Sequence, residues 1–476
     1  MSEAMPIHPA PAGPKEGPAG EGRSGDLTSG PILGTLLAFT VPTLIANVLQ
    51  TLNGSINAVW VGRLIGESAL AATANANVIL FLAMAAVFGL GMATTVRVGQ
   101  HFGARDIASA RRTFGAGVGF CTALALLTGV AGWFWSRPVL HLMATPAGSL
   151  EEADAYLSVL SLSLPFGAVS MMLSLGLRGV GDSRTPLYAM ILTVILDAVF
   201  NPLLIVGHGP LPRLGIAGSA LSTALANFAG VVLMLVAIYR RDLPLRLKGA
   251  ELRWLVPTLP EMRYSVIKGL PMGTQMLLFS SAQLILLGLV NREGLATTAA
   301  YSASIQLWNY LQMPPYAIAT AVSAMVAQAV GAGKPERVRA VTKVGVCLNF
   351  VLTLALAAIL IVADRPMLTL FLGSGSEAIP IGEHLQLICT WSFAISGMTM
   401  VLNGTMRACG AVMIPLGITF VALYPARLGF YFATHPLIGS EALWWSYPFS
   451  SAFSVALILL AYTRGRWRRT VGLDGT

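Results

Sequence analysis

The sequence predicts an all-α membrane protein: 12 transmembrane helices in two pseudo-symmetric six-helix bundles. Three observations predict it: the composition, the spacing of the apolar runs, and an internal repeat. Of 476 residues, 55% are hydrophobic and only 11% charged, and the mean hydropathy is +0.71. A water-soluble domain carries roughly 25% charged residues, so this chain has too little polar surface to cover itself. A soluble enzyme, a nucleic-acid binder and a disulfide-stapled secreted domain are all excluded. The net charge of +9 therefore has to be read through its distribution over the loops.

Residues 1–30 are rich in Pro, Gly and Glu and hold no apolar core. They read as a disordered tail, neither a signal peptide nor a span. Apolar runs of the length a bilayer requires then follow at 33–62, 76–98, 113–136, 156–177, 186–208 and 215–239. After the polar stretch 240–264 they resume at 265–290, 299–328, 343–363, 385–406, 411–434 and 442–463. This gives an N-terminal lobe over 31–239, a linker over 240–264, a C-terminal lobe over 265–464 and a basic tail over 465–476. Pro42, Pro271 and the Pro314–Pro315 pair lie inside runs and are the expected kink points.

Orientation follows from Lys and Arg. Placing both termini and every second loop on one side puts 24 of the 30 basic residues there, against 5 opposite. That bias places both termini in the cytoplasm. Cys121, Cys347, Cys389 and Cys409 lie within or at the ends of spans with no metal or redox spacing, and read as apolar packing.

The two halves match in register. Pro42 pairs with Pro271, Arg178 with Arg407, Gly181 with Gly410 and Pro186 with Pro415, each at an offset of 229. Gln100 pairs with Gln328, Gly103 with Gly331 and Arg111 with Arg339 at 228. Six spans map onto six, so the repeats share one topology about an axis along the membrane normal. That is the anatomy of a transporter with a cleft between its lobes.

The segments that carry the repeat also carry a resemblance. RGVGDSRTP (178–186), Asn201-Pro-Leu-Leu-Ile-Val-Gly and Gly215-Ile-Ala-Gly-Ser-Ala resemble the MATE (multidrug and toxic compound extrusion) family. So do Val61-Gly-Arg-Leu with Ala69-Leu-Ala-Ala, and GQHFGARD (99–106) with its echo AQAVGAGKPE (327–336). The resemblance spans residues 31 to 465 and points to the proton-coupled bacterial branch. It implies a multi-pass exporter of the bacterial inner membrane, acting alone as a monomer on amphipathic organic cations. Outward- and inward-facing states would alternate with entry of H+ or Na+, and no other cofactor is implied.

Candidate residues follow from polarity inside the spans. Of 21 carboxylates, 11 fall in cytoplasmic segments and 9 in outer loops, which leaves Asp197 mid-way along the fifth span. An acid in hydrocarbon is expensive and usually faces a cavity and works. Removal from water disfavours a carboxyl group's charged form, so such a group can bind and release a proton. The bland alternative is a protonated acid that ties two helices together. Asn201 lies one turn beyond, on the same face. The proton-coupled branch has Asn and then Asp in this span, whereas here the order is reversed. It also has an Asp in the first span, where this chain has Asn57. The family's other branch carries acids in the seventh and tenth spans, and 271–290 and 385–406 contain none. Coupling is thus expected in the first lobe at Asp197, Asn201 and Asn57. With Thr223, these residues also offer the oxygens that a sodium ion requires.

Polar residues at helical spacing suggest a cavity wall: Gln50, Asn53 and Asn57, Thr223 and Asn227, Gln275 and Gln283, Gln306 and Asn309, and Asn403. Interhelical hydrogen bonding is the alternative for each. Arg427 is the only basic residue inside a span, and its long stem allows it to reach an interface. With Arg178 and Arg407 it is expected to be structural, and the resemblance gives Arg427 the role of supporting the second lobe. Asp182 is expected to cap the fifth helix. The glycines of GAGVG (115–119) are expected in close helix packing. A lipid-linked saccharide flippase of the same superfamily is the competing transporter reading, but it calls for more spans and a basic cavity. No HExxH or GxSxG motif is present to support an intramembrane enzyme.

Overall fold

The computed structural model describes residues 25–142, 150–207, 213–373, 375–465 and 467–468. Helices dominate, and there is no strand among the described residues. Lobe 1 holds α1 (Ile32–Leu64), α2 (Glu67–Gly103), α3 (Ile107–Leu142), α4 (Leu150–Gly179), α5 (Arg184–Val206) and α6 (Ile216–Arg240). Lobe 2 holds α7 (Leu259–Val290), α8 (Leu295–Gly331), α9 (Pro335–Val362), the short α10 (Asp364–Leu372), α11 (Ala378–Cys389), α12 (Trp391–Ala408), α13 (Met413–Val421), α14 (Gly429–Ile438) and α15 (Glu441–Arg464). Each expected span overlaps one of these helices or a joined set, so the twelve-span reading stands. Large apolar side chains such as Phe134 (73% exposed) and Val362 (87%) point outward, as a surface facing lipid requires.

Two spans are irregular, and neither break is at an expected proline. Helices run on through Pro42, Pro271, Pro314 and Pro315. The tenth span instead breaks by 43° between α11 and α12. Thr390 at the break donates to Gln386 Oε1 at 2.5 Å, and Ser392 donates to the Cys389 carbonyl at 2.6 Å. The Ser392 hydroxyl, which bonds back to a backbone carbonyl of the preceding turn, is of the kind that bends helices without proline. The eleventh span is interrupted by a π-helical stretch, Ala422–Leu428, between α13 and α14.

Asp182 caps α5 as expected, its Oδ1 accepting the Arg184 and Thr185 amides at 3.0 Å each. Gly117 packs closely against helices as expected, a Cβ there falling 2.6 Å from Thr94 on α2 and 3.0 Å from Met172 on α4, whereas Gly115 and Gly119 allow close approach of the linker. Cβ atoms on these two would fall on the carbonyls of Trp254 and Leu255, in the 3-10 turn Gly249–Leu255. Arg111 with Glu251 (3.2 Å) and Arg112 with Glu261 (2.6 Å) fasten the same linker region to α3. Cys121 and Cys389 are buried, but Cys347 is exposed, which corrects the packing expected of it: its helix face is turned away from the core.

The lobes meet at the end where the basic residues collect. α2 and α8 each run 37 residues, roughly 55 Å at 1.5 Å per residue, well beyond a hydrocarbon core of about 30 Å. Their C-terminal ends interlock reciprocally. A Cβ on Gly103 would lie 2.0 Å from the Gln328 carbonyl oxygen, and one on Gly331 would lie 1.8 Å from that of Gln100. Gln100 Nε2 donates to the Ala408 carbonyl at 2.8 Å, and Gln328 Nε2 donates to the Gly179 carbonyl at 3.1 Å. Each glutamine thus bonds the end of the other lobe's fourth span, α12 for Gln100 and α4 for Gln328. The sequence repeat is here a repeat of contacts. α1 spans both lobes, packing on α5 in its own and on α8 in the other.

The expected disorder of residues 1–30 does not extend to the end of that stretch. Residues 1–24 lie outside the described residues, but 25–30 form a strap across the basic end. Leu27 is buried against α8 and α9, and its amide donates to Gln328 Oε1 at 3.0 Å. Arg337 donates to the carbonyls of Leu27 (3.1 Å), Ser29 (2.7 Å) and Gly30 (3.2 Å). A segment with few apolar residues is ordered here because a guanidinium satisfies three of its backbone acceptors. Gln328→Ala should leave the buried Leu27 amide without its acceptor, at about 1–3 kcal/mol. A lower thermal midpoint in micelles, with new proteolytic cleavage near residue 27, is the expected readout.

Candidate functional site

α5, α1 and α6 converge on Asp197. Its side chain and that of Asn201, one turn on, are both fully buried. Pro202 follows directly and leaves the Ala198 carbonyl without its helical donor, so the backbone is loosened beside the acid. From α1, Asn53 Nδ2 and Asn57 Nδ2 each donate to Asp197 Oδ2 at 2.9 Å. From α6, Ser222 Oγ donates to Oδ1 at 2.6 Å, and Thr223 Oγ1 lies 3.3 Å from Oδ2. Asn57 Oδ1 in turn accepts from Asn201 Nδ2 at 2.7 Å. Three helices are joined through one carboxyl group.

All of these partners are neutral, and among the described residues no Lys, Arg or His forms an ion pair with Asp197. Amide and hydroxyl donors surround it as they would an anion. A proton placed on Oδ2 would face two amide N–H groups that cannot accept it, so α1 has to move relative to α5 or its asparagines have to turn. The oxygens of Asn53 and Asn201 that remain, both named Oδ1, are buried and without a donor. Protonation of Oδ2 is therefore linked to the position of α1, whereas a proton on Oδ1 is met by rotation of the Ser222 hydroxyl.

The coupling residues anticipated from sequence, Asp197, Asn201 and Asn57, come together, and Asn53 and Thr223 join them. Gln50 and Asn227 lie outside this hydrogen-bonded group. Ser222 was not singled out, and nothing distinguishes it in sequence from the many serines of the spans. In lobe 2 the polar residues separate into two sets. Gln275 is buried and donates to Thr419 at 2.6 Å, and Asn403 is buried with its Oδ1 unpaired. Gln283, Gln306 and Asn309 are exposed although they sit mid-span. Arg178 and Arg407 occupy equivalent ends of α4 and α12, each with its Nε unpaired. Arg178 lines a small void between the lobes with Thr95, Thr320 and Ser323.

A family model described as MatE matches this chain twice, over residues 42–203 and 271–432. The chain belongs to the MatE family. The two matches start 229 residues apart, the offset at which the prolines and arginines repeat. MatE proteins similar to it include "Probable multidrug resistance protein YoeA" of Bacillus subtilis, 30% identical over 90% of this chain and 93% of that one. "Probable multidrug resistance protein NorM" of Thermotoga maritima is 25% identical over 91% of this chain and 93% of its own length. Among solved structures, the outward-facing conformation of a multidrug resistance MATE family transporter of the MOP superfamily superposes with a TM-score of 0.85 at 19% identity. It covers 96% of this chain and all of that one. The MatE fold is thus shared over both lobes, and the chain is a multi-pass membrane transporter of that family.

Proposed function

We propose that the protein exports amphipathic organic cations in exchange for protons, by alternating access between its two lobes. The observation that carries this reading is Asp197: buried, held by neutral donors on three helices, and with no cation paired to it among the described residues. Such a group can accept a proton or attract a cationic solute, and competition between the two is what an antiporter needs. α1 then transmits the change, because its asparagines hold Asp197 in lobe 1 while Leu36 and Phe39 pack against α8.

Protons are preferred to sodium on chemistry. The nearest groups from α1 present amide nitrogens to the carboxylate, whereas sodium would require oxygens there. The basic end is cytoplasmic on this reading. Its closure, with Gln283, Gln306 and Asn309 exposed mid-span, supports an outward-facing reading of this conformation. The protein would reside in a bacterial inner membrane with both termini inside. A saccharide-lipid flippase is not favoured, since a pyrophosphate headgroup calls for several cavity cations and one Arg lies within a span. The test is ethidium efflux from proteoliposomes under an imposed pH gradient, with an imposed sodium gradient as the control. Efflux driven by the pH gradient alone is expected; efflux driven only by sodium would refute the proton assignment, and no efflux would refute the export reading.

A further inference from the structure

The π-helical stretch in the eleventh span sets the direction of one side chain. Pro425 lies within it and supplies no N–H to the helix, and the widened turn absorbs that loss. Arg427 then points into lobe 2 instead of along the span to an interface. Its Nε donates to Ser450 Oγ at 2.9 Å, and its guanidinium carbon sits 4.3 Å from the ring centre of Tyr447. Both partners are buried, so the arginine is pinned inside the lobe.

That arrangement holds the Nε edge and one face of the guanidinium, and among the described residues the two terminal nitrogens have no hydrogen-bond partner. Five acids lie toward the outer ends of lobe 2 (Glu293, Asp364, Glu377, Glu383 and Glu441), none forms an ion pair with Arg427, and three have partners of their own. Glu383 pairs with Arg365 at 3.8 Å, Glu441 with His384 at 2.8 Å, and Glu293 with His435 at 3.7 Å. Arg427 itself is half-buried, with no counter-charge within ion-pair distance among the described residues, and an aromatic face offsets only part of the cost of withdrawing a guanidinium from water. Beside it runs a polar relay. The Tyr301 and Tyr447 hydroxyls are 2.7 Å apart, and Tyr447 donates to Gln283 Oε1 at 3.4 Å. Gln283 is exposed mid-span, so the relay reaches the open part of the lobe.

We propose that Arg427 is the docking point for the carboxylate of an organic solute, with the Gln283 amide as a second donor. The free fork of the guanidinium matches a carboxylate's two oxygens. Lobe 1 then offers an uncompensated acid and lobe 2 an uncompensated base. A solute that carries both an ammonium and a carboxylate can satisfy the two together; this extension to a doubly charged solute rests on the cation-export reading, whereas the anion site itself does not.

The test uses the purified full chain in nanodiscs. Benzoate should quench tryptophan fluorescence through Trp308, whose ring centre is 5.5 Å from that of Tyr447, and should raise the thermal midpoint. Arg427→Gln should weaken benzoate binding by about tenfold or more. Arg427→Lys keeps the charge but not the fork, and should show a smaller loss if the glutamine variant does not fold. The second arm compares tetramethylrhodamine with its methyl ester, which share a cationic ring system and differ in the carboxylate. The free acid should bind the wild type more tightly, and Arg427→Gln should abolish that preference while leaving ester binding unchanged. Equal benzoate affinity in all folded variants, or a site that chloride fills as well as benzoate does, overturns the proposal. Failure of the ester to bind the wild type, with the benzoate result intact, would sink the cation-export reading and leave the anion site standing.

Discussion

Asp197→Asn is expected to abolish proton-driven efflux while leaving a folded protein. An amide still offers one oxygen to Asn53 and Asn57, and its nitrogen can donate to Ser222, whose hydroxyl turns to accept it. The three-helix tie therefore survives in outline, and the thermal midpoint should move little. What is lost is the charge. A group that cannot ionise makes the same hydrogen bonds at every pH, so no proton-driven change reaches α1 to eject the solute or reset the site. In proteoliposomes, ethidium efflux under a pH gradient should fall to the rate of protein-free vesicles. Ethidium binding should weaken as well, because the attraction to the acid is gone. If the variant transports as the wild type does, Asp197 is a structural tie between α1, α5 and α6, and the coupling mechanism fails.

The second large effect is expected at the interlock of α2 and α8. In Gly331→Leu the new side chain would start where the Gln100 carbonyl now sits, and backbone at both ends leaves no flexible atom to yield. Overpacking of this kind is worth about 1–3 kcal/mol. Here it acts only on the conformation in which the basic end is closed, so the population should move by roughly 5–150-fold toward the open form. The variant should bind ethidium but not turn over. A cysteine placed at Ala104 should react faster with a membrane-impermeant maleimide applied from the basic side. Unchanged reactivity there, with normal efflux, would show that the interlock does not gate the pathway. Gly103→Leu, its counterpart in the repeat, should behave the same way.

Much of this arrangement is readable in the chain, for physical reasons that differ by residue. The spans are legible because every backbone group in a bilayer must be satisfied within its own helix, which forces long uninterrupted apolar runs. Asp197 stands out because the spans contain so few acids, and helical periodicity brings Asn201 and Asn57 within reach of it. Ser222 is invisible in sequence because a hydroxyl on a helix has a local partner one turn back wherever it points. Gln275 and Gln283 look alike on paper, yet the first faces Thr419 in the core and the second faces the open part of the lobe. That difference depends on helix rotation, which a span this apolar does not encode. The break at Thr390 escaped a search for prolines because the Ser392 hydroxyl, not a proline, accompanies it. The strap at 25–30 escaped because its partners, Gln328 and Arg337, lie some 300 residues away.

The crossed glutamines also bear on how such a molecule could have arisen. Gln100 reaches the carbonyl at 408, and Gln328 reaches the carbonyl at 179, so each half carries one donor and one acceptor on the same face. A single six-helix chain with that face would be self-complementary about a two-fold axis, the geometry on which paired identical subunits are built. Two copies would form the same lock with no new residue. Gene duplication and fusion then needed to supply only a linker, and the acid at 197, which meets Ala426 at the offset of 229, marks where the two former equals differ.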